Sequence, residues 1–88
     1  MTTIYTTQFK KDFKRIQKRN YDIDELWKII GKIRKREKLD PKHKNHKLKG
    51  RLKECRECHI KPNWLLIYWI KGQELILERT GTHRDLFK

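Results

Sequence analysis

Apolar residues recur on two different periods along this chain, and the change of period divides it into a helical first half and an extended second half. Thr2 to Thr6 is short, β-branched and aromatic, which predicts a strand. From Gln8 onward Phe9, Phe13 and Ile16 recur at i, i+4 and i+7 among Lys, Arg and Asp, drawing one apolar stripe on an otherwise basic helix. Asn20 and Tyr21 interrupt it, and Asp22 or Asp24 offers the N-cap of a second helix. Ile23, Leu26, Trp27, Ile30 and Ile33 mark that helix's apolar face. Asp40-Pro41 is its expected end, because the residue before a proline is pushed out of helical backbone space.

Pro41 to Lys49 is a polar connector rich in Lys and His, with Leu48 as its one large apolar residue. After Gly50, the segments Leu52 to Ile60, Trp64 to Ile70 and Glu74 to Thr80 read as strands. Lys61-Pro62-Asn63 and Lys71-Gly72 separate them, and such short turns predict antiparallel neighbours. WLLIYWI is apolar on both alternating faces, as a central strand must be. The expected fold is α+β, in the order β-α-α-β-β-β: a small, mostly antiparallel sheet with a two-helix hairpin packed on one face. A single domain over residues 1–88 accounts for the length, since a chain of this size buries one modest core.

Charge narrows the partners. Lys and Arg number 24 against 11 Asp and Glu, a net +13 whose self-repulsion a neutral substrate gives no reason to carry. Nucleic acid is the first candidate, because neutralising phosphates releases counterions; an anionic membrane surface is the second. The longest apolar run, Trp64 to Ile70, is far short of the roughly 20 residues that span a bilayer, and no secretory leader is recognisable. The cytoplasm is the expected compartment, with Cys55 and Cys58 reduced.

Four motifs compete for the chemistry. Cys55-Arg-Glu-Cys58-His59 spells a haem-attachment pattern, but it falls on a strand in a chain without a second axial methionine. His43, His46, Cys55 and Cys58 are zinc-type ligands, yet residues i and i+3 of a strand point to opposite faces, so the cysteines are expected to pack and no metal or other cofactor is expected. His43, among lysines, reads as a solvated residue. His59 and His83 each stand where a strand gives way to a loop, and near-neutral side chains there suit a base and an acid around a phosphodiester. Trp64 is equally compatible with stacking on an unpaired base and with the sheet core, while Tyr68 reads as core.

The segment from His46 to Phe87 resembles the YafQ-like branch of the RelE/ParE toxins. The matching pieces are His46-x-Leu48-x-Gly50, Arg56-x-x-His59, Pro62-x-Trp64, the apolar strand ending at Tyr68, Glu78-Arg79-x-Gly81-x-His83, and Leu86-Phe87, in order and at the expected spacing. The resemblance implies a ribosome-dependent mRNA endonuclease of a type II toxin–antitoxin pair, held inactive in a hetero-oligomer by an acidic, DNA-binding cognate antitoxin. It links His46, His59, His83, Trp64 and Phe87 to cleavage and Arg79 to phosphate contact. Trp64, Asn63, Arg56, Lys49 and Lys53 are the expected RNA-binding residues. Asn63 departs from the family, which commonly has an aspartate before the tryptophan; asparagine takes no proton, so the histidines must carry the acid–base work. Two rival readings use the same basic surface: a non-catalytic RNA-binding module, and a ParE-like poison of DNA gyrase, which has no use for an acid–base pair.

Overall fold

The structure, a computed structural model, describes residues 1–87. Strand β1 (Thr2–Tyr5) leads into helices α1 (Thr7–Lys18) and α2 (Ile23–Arg34); β2 (His46–Lys47), β3 (Arg56–Lys61), β4 (Trp64–Lys71) and β5 (Glu74–Gly81) follow, and a short helix α3 (His83–Leu86) closes the order. The five strands form one sheet in the order β1-β5-β4-β3-β2, so WLLIYWI is the central strand. Only β1 runs parallel to its neighbour, β5; the other pairs are antiparallel. The α+β reading of the sequence therefore holds, with two additions it missed, β2 and α3.

Local chemistry explains the element ends. Thr6 caps α1, its side chain accepting from the Phe9 amide, while Asp22 stands at the N-cap position of α2 without making a side-chain bond. Asp24 and Glu25 in the first turn of α2 complement its dipole. The helix ends at Arg34 rather than at Asp40-Pro41, because residues 34–38 are polar and exposed and Arg36 turns the chain at φ 58°. Trp27, expected in the core, is 40% exposed against Tyr5 and Phe13; Ile29, which the apolar pattern omitted, is buried in its place.

Phe9, Ile16, Leu26, Ile29, Leu66, Leu75 and Leu77 fill the layer between helices and sheet, together with Cys58 and Tyr68. The connector is folded: Pro41–His43 makes a 3-10 turn, and Asn45 links Tyr68 Oη to Arg56 Nε, both at 2.9 Å. Gly50–Leu52 makes a second such turn, so the second predicted strand, β3 of the structure, begins at Arg56 and not at Leu52. Gly50 enters that turn at φ 71°, backbone space that favours glycine.

Candidate active site

Cross-strand register gathers the site. His46 lies directly opposite Glu57, and His59 opposite Leu65, which in turn faces Gly81. Directly paired residues share a sheet face, and Glu57 and His59 share theirs by the two-residue alternation of β3. Arg56 and Cys58 point the other way, toward the helices, and Cys58 is wholly buried there. In β5 the register slips between Ile67 and Tyr68, leaving Glu78 unpaired in a bulge beside Arg79, the kind of irregularity that re-aims a side chain near a site.

His83 enters from α3. Thr82 and Asp85 form a capping box for this single turn, and Arg19, the C-cap of α1, grips Asp85 through two nitrogens, at 2.7 and 3.1 Å. That pair holds the Asp85 carboxyl well below the usual carboxylate range. A carboxylate so depressed contributes its stabilisation in full above about pH 4 and loses it only as pH falls toward the lowered value. At Gly81 (φ 150°) an added Cβ would lie 2.8 Å from Asp85 Oδ2, so the glycine lets α3 fold back this tightly.

The result is a cluster of three histidines around one carboxylate. His46 Nε2 is 3.0 Å from Glu57 Oε2, and His83 Nε2 is 3.9 Å from Glu57 Oε1. The His59 and His83 rings lie 6.1 Å apart, and Phe87 tilts against His83 at 5.7 Å. Carbonyl oxygens only accept hydrogen bonds, so each contact fixes a tautomer. His59 Nδ1 donates to the Pro62 carbonyl at 3.2 Å, leaving Nε2 with the lone pair in the neutral ring. His46 Nδ1 donates to the Lys44 carbonyl at 2.7 Å while its Nε2 faces Glu57.

Glu57 is the residue that sequence reasoning missed. It is 5% exposed, it is the only acid in the cluster among the described residues, and its signal was an acid two positions before His59 on a strand. Glu57→Gln is expected to slow RNA cleavage by at least about tenfold while leaving the fold intact, because it keeps the shape but removes the carboxylate charge that His46 and His83 face. An unchanged cleavage rate would count against this role.

Other expected site residues fall elsewhere. Trp64 is 3% exposed, donates through Nε1 to Thr80 Oγ1 at 2.9 Å and packs edge-on against Tyr21. It is a core residue on the helix side and not the base-stacking surface that was one of its two readings. Arg56, expected at the RNA, is held by Asn45 on the helix-side face of β3. Asn63 is exposed beside Trp64 in the β3–β4 turn, and Lys49 and Lys53 are exposed around the second 3-10 turn. Arg79 spends Nε and Nη2 on Asp12 of α1, at 2.7 and 3.1 Å, keeping a quarter of its side chain at the surface. His43, read as solvated, is buried, its Nδ1 donating to the His59 carbonyl at 2.6 Å.

The zinc-type set does not converge. Among the described residues no group of three or more His, Cys, Asp or Glu side chains is arranged to hold a metal ion. Cys55 and Cys58 are free and buried, and burial beside Glu57 pushes the Cys58 thiol up to about 12, which makes it an inert packing group. Among the described residues no helix is long and apolar enough to cross a membrane.

A basic α+β domain with a histidine–carboxylate cluster on its sheet defines a class, the small toxins of bacterial type II toxin–antitoxin systems. The family model for the YafQ toxins of those systems matches residues 1–88. The chain belongs to the YafQ toxin family. It is 39% identical over 84 residues to the mRNA interferase toxin YafQ of Escherichia coli K12, covering 94% of this chain and 91% of that protein. Among solved structures it is similar to a copper-bound mutant toxin from Helicobacter pylori, with TM-score 0.94, 42% identity and 99% of each chain covered. It is also similar to the YafQ of the E. coli DinJ–YafQ complex, with TM-score 0.89, 38% identity, and 98% of this chain and 97% of that one covered.

Proposed function

We propose that this chain is an mRNA interferase, an endoribonuclease that cuts mRNA on the ribosome in the cytoplasm and is held inactive by a cognate antitoxin, as the DinJ–YafQ complex is a toxin–antitoxin assembly. The observation that carries the reading is the meeting of His46, His59 and His83 around Glu57 on one sheet face. A non-catalytic RNA-binding module or a gyrase poison has no use for such a cluster.

The RNA 2′-hydroxyl attacks the adjacent phosphorus, leaving a 2′,3′-cyclic phosphate and a 5′-hydroxyl. His59 is suited to take the 2′ proton, because the Pro62 carbonyl fixes its Nδ1–H and leaves Nε2 free to accept. His83, beside the Glu57 carboxylate, is suited to give a proton to the leaving 5′ oxygen. His46, tied to Glu57, adds positive charge where the phosphorane becomes negative, and Arg79 of β5, a quarter exposed beyond its pairing with Asp12, is suited to a phosphate contact. Phe87, 42% exposed and against His83, offers the aromatic face on which a base can stack.

This route needs only the substrate's own hydroxyl as nucleophile. Cleavage of an mRNA bearing a single 2′-deoxy nucleotide at the scissile position is expected to stop, with binding retained, and products should appear in EDTA once ribosome integrity is controlled. Continued cutting of the deoxy substrate would mean that water is the nucleophile and would overturn the mechanism.

A further inference from the structure

Beside His59, on the far side of the β3–β4 turn from Phe87, a cleft of about 360 Å³ opens between α2, the Pro41–His43 turn and the end of β3. None of the residues linked to cleavage lines it except His59. Four lysines do. Lys28 and Lys32 stand one helical turn apart on α2, so their ammonium groups lie on one face; Lys42 belongs to the turn and Lys61 to the last position of β3.

Two acids share the cleft, Glu25 and Asp40. Asp40 is occupied locally, its Oδ1 accepting from the Lys42 amide at 3.0 Å. Among the described residues none of the four lysines forms an ion pair, so four lysines against two acids leave the cleft with a positive excess. His43 adds a buried wall. It is 6% exposed, and because Nδ1 donates to the His59 carbonyl, Nε2 is the ring nitrogen left over. A volume of this size is within the range of small-ligand pockets, and it continues directly from the histidine cluster along the backbone of His59.

We infer that this cleft holds the phosphodiester backbone of the substrate strand next to the scissile bond, with Lys28, Lys32, Lys42 and Lys61 as its phosphate contacts. The inference rests on the chain being a ribonuclease. Lysine ammoniums act as point charges with three donors, which suits phosphate oxygens without reading the bases. The cleft thus supplies grip and register and leaves codon choice to other surfaces.

The test is the salt dependence of binding to a fluorescein-labelled single-stranded RNA made uncleavable by 2′-O-methylation. Lys28→Gln/Lys32→Gln and Lys42→Gln/Lys61→Gln are compared with Lys35→Gln/Lys71→Gln, a charge-matched pair that does not line the cleft. Each phosphate contact on a single strand adds about 0.7 to the slope of log affinity against log salt, so either cleft pair should flatten it by about 1.4. Between 50 and 200 mM salt the native chain should then lose about sevenfold more affinity than a cleft pair does. The control pair should keep the native slope. Equal flattening in all three pairs would reduce the effect to net charge and overturn the inference. So would cleft pairs that bind the oligonucleotide normally but lose affinity only for an acidic antitoxin peptide, or only for ribosomes in a pelleting assay. Normal cleavage by all the lysine pairs would sink the cleft alone, whereas a native chain that cuts no RNA would sink the ribonuclease reading beneath it.

Discussion

His83→Ala is expected to lower RNA cleavage by about 10²- to 10⁴-fold, the usual range for one positioned acid or base, and to relieve growth arrest. The His83 side chain is 57% exposed and its polar neighbour Glu57 keeps His46, so the loss should be chemical. The far-UV circular dichroism should be unchanged and the melting temperature within about 3 °C of the native value, as for a surface substitution. Mapping of mRNA 5′ ends after induction provides the readout. A fully active His83→Ala would remove the acid–base assignment, because His83 is the group proposed to protonate the leaving oxygen. His46→Ala should behave differently, with a smaller loss of rate and some loss of stability, since it strands the buried Glu57 carboxylate.

Asp12→Ala is expected to be the most destabilising single change outside the apolar core. The carboxylate is fully buried, accepts twice from Arg79 and once from the Thr80 amide, and lies 3.2 Å from Arg15. Removing it leaves the Thr80 amide unsatisfied and a partly buried guanidinium unpaired. Loss of a partner in a buried pair costs about 3–5 kcal/mol, and the quarter of Arg79 that reaches solvent brings the expectation to about 2–3 kcal/mol. For a domain of this size that is a fall in melting temperature of about 10–20 °C, measurable by thermal denaturation. A fall of under about 4 °C would show that water replaces the carboxylate without loss. Because Asp12 also aims Arg79, the variant should cleave more slowly even where it remains folded.

The periods of the apolar residues made the helical hairpin, the central strand and the antiparallel turns readable, since each depends on local spacing. The missing pieces depend on long-range partners. β2 is two residues long and exposed, and exists because His46 and Lys47 meet Glu57 and Arg56; no pattern of two residues can announce that. α3 is too short to form alone and is held by Arg19, 66 residues away from Asp85. The same distinction sorts the site. His59 and His83 were visible as histidines at strand ends, and the family motifs added His46. Glu57 was hidden because an acid in a charged sequence is ordinary until the fold buries it. The faces of Trp64 and Arg56 were not legible for a related reason: spacing shows that residues alternate, but not which face the helices take. His43 shows the limit from the other side, since a lysine-rich neighbourhood predicts exposure and one backbone carbonyl reverses it.

The parallel pairing of β1 with β5 ties the first strand to the last, and Thr6 bonds the Glu78 carbonyl across 72 positions of sequence. Contacts of such separation form late, because the intervening loop must first be closed. His83 and Phe87 lie beyond β5, and α3 docks on α1 only when β5 is in the sheet. The cutting surface is therefore completed only at the end of synthesis. A growing chain that still lacks its fifth strand holds His46 and His59 without their partner, so a molecule directed at translation gains its chemistry only after its own translation has passed that point.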